Sequence, residues 1–231
     1  MSAPAGISVE AVAREYATPA GPVRALGGVT LGVEAGRSLA ITGPSGCGKS
    51  TLLAVMAGLE PPTSGRVRIG DVEISRLSER ERTRMRRDRL GLVFQSDNLL
   101  PFMTALENVA LQIALGGDGG GYERCARLLA ELGLADHSDK LPDRLSGGER
   151  QRVAVAAALI NQPSVILADE PTGSLDDANS EAVVDLLLAA QRDTGATLVV
   201  VTHDPSVAER MDDSLRLRDG RIVESAEPAR A

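Results

Sequence analysis

The chain has 231 residues, a formal net charge of −7, 43% hydrophobic and 25% charged residues. This length suits one α/β domain with subdomains; the ordinary hydrophobic share excludes disorder for most of the chain; the acidic balance argues against nucleic acid as a partner. Scarcity is also informative, because Trp is absent and Phe, Tyr, His, Cys and Lys occur twice each, against 23 Arg. The core must therefore be built from Leu, Val, Ile and Ala. Two cysteines, Cys47 and Cys125, give no disulfide framework and no metal spacing, which fits a reducing cytosol. The N-terminus lacks a basic segment leading into an apolar one, so no signal peptide is expected. No run reaches the about 18 apolar residues of a membrane span.

In chain order, residues 7–228 read as a single folded unit, with disordered ends at 1–6 and 229–231. Residues 7–40 carry a short, β-like pattern with turns at 18–22 and 34–36. An apolar strand over 38–42 runs into a Gly-rich loop, a helix is predicted over 49–59, and the turn at 61–65 stops it. A β segment follows at 66–74, an Arg-dense helix at 78–89 and a strand at 90–95. Helices at 106–115 and 123–132 are split by a Gly-rich loop at 116–121. The remainder alternates: helix 150–161, buried strand 165–168, helix 179–192, buried strand 197–202. Continuous apolar strands alternating with helices predict an α/β fold with a parallel sheet covered on both faces.

Gly43-Pro44-Ser45-Gly46-Cys47-Gly48-Lys49-Ser50, followed by Thr51, fits the phosphate-loop pattern G-x-x-x-x-G-K-[ST]. The glycines let successive N–H groups point into one concavity, and the following helix N-terminus adds its own donors. Lys49 is placed to reach the β- and γ-phosphates and Ser50 to bind Mg²⁺. With two lysines in the chain, a chance match is rare. A redox reading of Cys47 is weaker than that of a small packing residue. The strand at 165–168 ends in Asp169 and Glu170. Ligands of doubly wound sheets sit at the carboxyl ends of strands, so Asp169 is placed to hold Mg²⁺ and Glu170 to orient or deprotonate a water. Two charges opening a turn at Pro171-Thr172-Gly173 would be the bland alternative, and the phosphate loop disfavours it.

Ser146 and Glu149 form a capping box, S-x-x-E. That explanation does not require Gly147 and Gly148, which leave the helix start bare for a phosphate. The whole segment Leu145-Ser146-Gly147-Gly148-Glu149-Arg150-Gln151 resembles the signature of the ATP-binding-cassette family. The resemblance implies a P-loop NTPase: a RecA-like parallel sheet core, an N-terminal antiparallel β subdomain and an inserted α-helical subdomain over about 97–160. It implies that ATP and Mg²⁺ are bound, and that a homodimer forms in which each signature closes the other copy's ATP site. Further residues follow in the family's order. Tyr16 stands where an aromatic stacks on adenine, and Gln95 resembles the glutamine that contacts Mg²⁺ and senses a membrane partner. Ser174-Leu175-Asp176 resembles the D-loop at the dimer interface, and His203 the histidine that hydrogen-bonds the γ-phosphate. Glu170, His203, Gln95 and Lys49 are thus the expected catalytic set.

One departure is Ala157, where many cassettes carry Arg. Residues 93–108 and 168–176 resemble the subfamily that drives macrolide exporters, lipoprotein release and the cell-division permease complex. That implies a separate integral membrane permease, a docking groove at about 96–104, and a cytoplasmic chain peripheral on the inner face of the membrane. The same motion could instead serve a mechanotransmission ATPase that regulates an extracytoplasmic enzyme. DNA-repair and translation cassettes carry inserts or tandem cassettes for which this length has no room. A GTPase is excluded because neither Lys49 nor Lys140 follows an Asn. The Arg cluster at 76–89 reads as a solvated helix face, with lipid headgroups a minor alternative. Lys140, His137 and Tyr122 fall outside every motif and read as surface residues.

Overall fold

The computed structural model describes residues 4–96, 98–115 and 121–226. Two sheets form its frame. The first holds β1 (Ile7–Thr18), β2 (Gly21–Val33), β4 (Ser64–Ile69) and β5 (Val72–Glu73), ordered β2-β1-β4-β5 and antiparallel throughout. The second holds β3 (Ser38–Thr42), β6 (Leu90–Val93), β7 (Val165–Asp169), β8 (Thr197–Val201), β9 (Asp213–Arg218) and β10 (Arg221–Ala226), ordered β10-β9-β3-β8-β7-β6. Five of these strands are parallel; β10 returns antiparallel to β9 through Asp219 and Gly220, both at positive φ. The expected parallel sheet is therefore present with a hairpin added at one edge, a hairpin for which the sequence reading had no element.

Seven α-helices accompany them among the described residues: α1 (Lys49–Met56), α2 (Glu79–Arg89), α3 (Ala105–Ala114), α4 (Tyr122–Glu131), α5 (Gly147–Leu159), α6 (Asp177–Thr194) and α7 (Pro205–Ala208). Side-chain alternation along the parallel strands divides the core. Leu39, Ile41, Val165, Leu167, Val199 and Val201 face α1 and the antiparallel sheet. Ala40, Ile166, Ala168, Leu198 and Val200 face Val183, Val184 and Leu187 of α6. A third cluster joins α3, α4 and α5 through Val109, Leu129, Val153 and Ala156. Val155 of α5 belongs to the second cluster, so α5 bolts the helical subdomain to the sheet.

Several boundaries differ from the expected ones for local reasons. β1 and β2 are long rather than short, because bulges near Val9–Val12, with Ala11 at φ 47°, bend them without breaking the pairing. The β segment at 66–74 turns at Gly70 and Asp71 into the β4–β5 pair. α1 stops at Met56 instead of residue 59. α5 begins at Gly147, because Ser146 and Glu149 close a capping box there, and α6 begins at Asp177 behind the Asp176 cap. Ala5 and Gly6 are not frayed: Ala5 is buried, its carbonyl accepts from Thr197 Oγ1 at 2.9 Å, and the Gly6 carbonyl accepts from the Gly70 N–H at 2.8 Å. The remaining ends expected to be disordered, 1–3 and 229–231, lie outside the described residues, as does most of the loop at 116–121. No helix among the described residues is long and apolar enough to cross a membrane.

Candidate functional site

The loop between β3 and α1 is wedged against two neighbouring backbones. A side chain on Gly43, which sits at φ 146°, would overlap the Leu217 carbonyl, and a Cβ on Gly48, at φ 105°, would lie 2.5 Å from the Ala25 carbonyl oxygen. Only glycine satisfies both the backbone angles and the space. α1 has no side-chain cap and no acid in its first turn. Its leading N–H groups are unpaired donors at the positive end of the helix dipole, which suits an anion.

Lys49 opens α1 and is buried. Its Nζ donates to the carbonyls of Gly43 (2.9 Å) and Pro44 (3.2 Å) and stands 3.9 Å from Glu170 Oε1. Cys47 is also buried, as a packing residue under the loop. The strand alternation that sends Val165 and Leu167 towards α1 sends Asp169 the same way, and Ser50 Oγ donates to Asp169 Oδ1 at 3.2 Å. Burial pushes the Asp169 carboxyl above its ordinary value; the Ser50 bond and Lys49 oppose this and the Glu170 charge adds to it.

Glu170 sits at φ 46°, a left-handed conformation that costs a non-glycine residue energy and is held by its surroundings. Its N–H donates to the Val201 carbonyl at 2.9 Å, and its Oε2 lies 2.8 Å from His203 Nδ1 and accepts the His203 N–H at 3.3 Å. The structure thus brings together Gly43, Pro44, Ser45, Gly46, Gly48, Lys49, Ser50, Thr51, Gln95, Glu170 and His203 around one cleft of about 590 Å³. Asp169 joins them through Ser50, and it also faces Gln95 across a neighbouring cleft.

Other expected site residues stand apart. Tyr16 does not line the cleft; its hydroxyl donates to Glu60 Oε2 at 2.5 Å and Arg14 covers its ring at 4.6 Å. Ser146, Gly147, Gly148 and Asp176 form the starts of α5 and α6 and lie off the cleft of their own chain. The sequence reading missed Ala25, whose backbone walls the loop, and the Glu60 partner of Tyr16. It also gave no role to Gln151, buried in α5, whose Nε2 donates to the Phe94 carbonyl at 3.0 Å and so ties the signature helix to the segment bearing Gln95. His137 is half-buried rather than a free surface residue, with Nδ1 2.8 Å from Glu149 Oε1 but out of hydrogen-bond alignment.

The oxygens of Ser50 and Asp169 fit magnesium, which takes one or two carboxylates together with substrate phosphates. Among the described residues there is no group of three or more His, Cys, Asp or Glu side chains able to hold a metal by themselves.

A phosphate cradle, a carboxylate pair and a histidine at the carboxyl ends of a parallel sheet define a nucleotide-hydrolysing P-loop protein. Residues 26–173 match the ABC transporter family, and the chain belongs to it as an ATP-binding cassette with ATPase activity. It is 43% identical to the lipoprotein-releasing system ATP-binding protein LolD 1 of Rhodospirillum rubrum, over 95% of this chain and 98% of that one. It is 42% identical to the macrolide export ATP-binding/permease protein MacB of Syntrophobacter fumaroxidans, over 94% of this chain but 31% of that one. Its fold superposes with a TM-score of 0.90 on the ATP-binding cassette MJ0796 in a dimeric post-hydrolysis state bound to ADP and phosphate, at 36% identity over 97% of this chain and 100% of that one.

Proposed function

We propose that two copies of this chain close around two ATP molecules with Mg²⁺ and drive a separate membrane permease of the lipoprotein-release type. The carrying observation is that the site is divided. The phosphate loop, Gln95, Glu170 and His203 share one cleft, which Asp169 joins through Ser50, whereas Ser146, Gly147 and Asp176 do not line it. Gly147 has only Leu175 Cδ2 (3.7 Å) and Arg150 (4.0 Å) within reach of an added Cβ, so a second copy's nucleotide has room to approach it. That MJ0796 is dimeric supports the arrangement.

In this reading the loop N–H groups and Lys49 bind the phosphates, and Lys49 exchanges its two carbonyl partners for phosphate oxygens. Ser50, Asp169 and Gln95 hold Mg²⁺, which supplies neutralising charge to the phosphates. Glu170 accepts a proton from the attacking water, and His203 holds the Glu170 carboxylate and reaches the γ-phosphate. Tyr16, steadied by Arg14 and Glu60, offers its ring to adenine, a contact worth about 1–3 kcal/mol.

The permease reading is supported by the LolD and MacB relatives and by an apolar groove of about 580 Å³. Leu99 and Leu100 of the expected docking segment line it, with Leu111 of α3 and Ala157 of α5. A side chain the size of Arg at position 157 would occupy space that Ala157 leaves free. The chain then works at the inner face of the membrane, bound through that groove. The direct test is Glu170→Gln, incubated with ATP and followed by light scattering: a stable dimer is expected, and a monomer at saturating ATP overturns the reading. For the groove, Leu111→Glu should abolish co-purification of the genetically linked permease while leaving the isolated cassette's ATPase intact.

A further inference from the structure

The starts of α5 and α6 are joined inside one chain. Gly148 is buried, and a side chain built on it would run into the Asn179 side chain, whose Cβ is 3.0 Å away. The closeness of α6, and not only access for phosphate, therefore requires glycine at 148. Asn179 uses all of its side-chain hydrogen-bonding groups in this corner. Its Oδ1 accepts from Arg152 Nη1 of α5 at 3.3 Å. Its Nδ2 donates to both carboxylate oxygens of Asp176, at 3.0 and 2.9 Å, and its backbone N–H donates to Asp176 Oδ1 at 2.9 Å. These bonds hold the Asp176 carboxyl below the usual carboxylate range. Asn179 lines neither the nucleotide cleft nor the apolar groove.

We infer that Asn179 is a positioning residue that locks the signature helix to the Asp176 turn, so that both segments a chain presents to its partner's nucleotide move as one unit. The inference rests on the two-copy reading above. Its physical basis is a network in which an amide bridges a guanidinium on one helix and a carboxylate capping the next. Charge-assisted bonds of this kind are about twice as strong as neutral ones. An amide, unlike a carboxylate, serves a cation and an anion at once, and its two N–H donors reach both oxygens of Asp176. Without the bridge, Arg152 and Asp176 keep their own helices but no longer fix the angle between them. The nucleotide cleft of the same chain is untouched, whereas the surface offered to the other chain loses definition.

The test uses Glu170→Gln alone and combined with Asn179→Ala or Asn179→Asp. Two quantities are read: affinity of the monomer for a fluorescent ADP, and the ATP concentration giving half-maximal dimer by light scattering. Asn179→Ala retains the backbone bond that caps α6, so the fold survives. It should raise the ATP requirement for dimerisation about tenfold, within the usual range of coupling effects, and leave ADP affinity within about twofold. Asn179→Asp retains the acceptor for Arg152 but sets a carboxylate against Asp176, so it should match Asn179→Ala. Unchanged dimerisation in Asn179→Ala, or in Asn179→Asp alone, overturns the inference while the two-copy reading stands. A parallel loss of ADP affinity also overturns it, because the effect would then be general disruption. Failure of Glu170→Gln itself to dimerise removes the two-copy reading and the inference with it.

Discussion

His203 Nδ1 stands 2.8 Å from Glu170 Oε2, and the two residues are held at that distance by adjacent parallel strands. The strained backbone of Glu170 turns its carboxylate towards the end of β8 instead of along β7. Glu170→Gln is expected to lower hydrolysis by about 10²–10⁴-fold with ATP binding retained. His203→Ala should fall in the same range, because Glu170 loses the group that holds it. The double variant should be little worse than either single one, since residues acting as a unit are not additive. Phosphate release assays with saturating ATP check all three, and full additivity would separate the roles of the two residues.

Asp169 yields a prediction about pH and stability. Burial raises its folded value above the unfolded one, so the folded chain holds the proton more tightly. The charged form therefore weakens the nucleotide-free fold. That cost grows as pH rises through the ordinary carboxylate value, is complete above the folded value and is relieved on acidification. Asp169→Asn should raise the Tm at pH 7, by about 2–4 °C per kcal/mol relieved, with the gain shrinking towards pH ~4. The same variant should lose Mg²⁺-dependent hydrolysis. Thermal unfolding at both pH values checks the sign.

Gly48→Ala addresses the loop geometry. Alanine at φ 105°, with its Cβ 2.5 Å from the Ala25 carbonyl oxygen, must move the loop or β2. A stability loss of about 1–3 kcal/mol is expected, together with loss of nucleotide binding. Urea unfolding and titration with labelled ATP measure the two effects.

Lys49→Met separates binding from folding. The ammonium is buried on two carbonyls, and a methionine of similar length fills the space without a charge. Stability should fall by about 1–3 kcal/mol, because the Gly43 and Pro44 carbonyls lose their donor, and the variant still folds. Affinity for ATP should fall about 10–100-fold, the equivalent of the 1.5–3 kcal/mol typical of a hydrogen bond to a charged group. Equilibrium dialysis of the folded variant decides it.

The sequence disclosed the fold where local chemistry and apolar period agreed. β3, β7 and β8 were visible as continuous apolar runs because both of their faces are covered. The start of α5 was displaced by three residues even though its Ser146–Glu149 box was recognised, and Ser78–Glu81 at α2 and Thr104–Glu107 at α3 form two further boxes that the reading passed over. β9 and β10 were missed. Leu215 and Leu217 alternate with charged residues and carry a strand signal, but the segment is short and highly polar. Half-burial of His137 carried no local signal at all, since Glu149 lies on another element.

By itself, the sequence determined the chemistry of the phosphate loop, the carboxylates at the end of a buried strand and the capped start of the signature helix. Each is a contiguous segment in which residue type and spacing dictate backbone shape. Tertiary structure alone decided what lies far apart in the chain. It set Glu170 against His203, walled Gly48 with Ala25, pressed Gly148 onto Asn179 and left the signature outside its own cleft. The reason is physical. Local spacing restricts φ and ψ over a few residues, whereas these pairings arise from the packing of apolar strands and helices whose partners no short motif specifies.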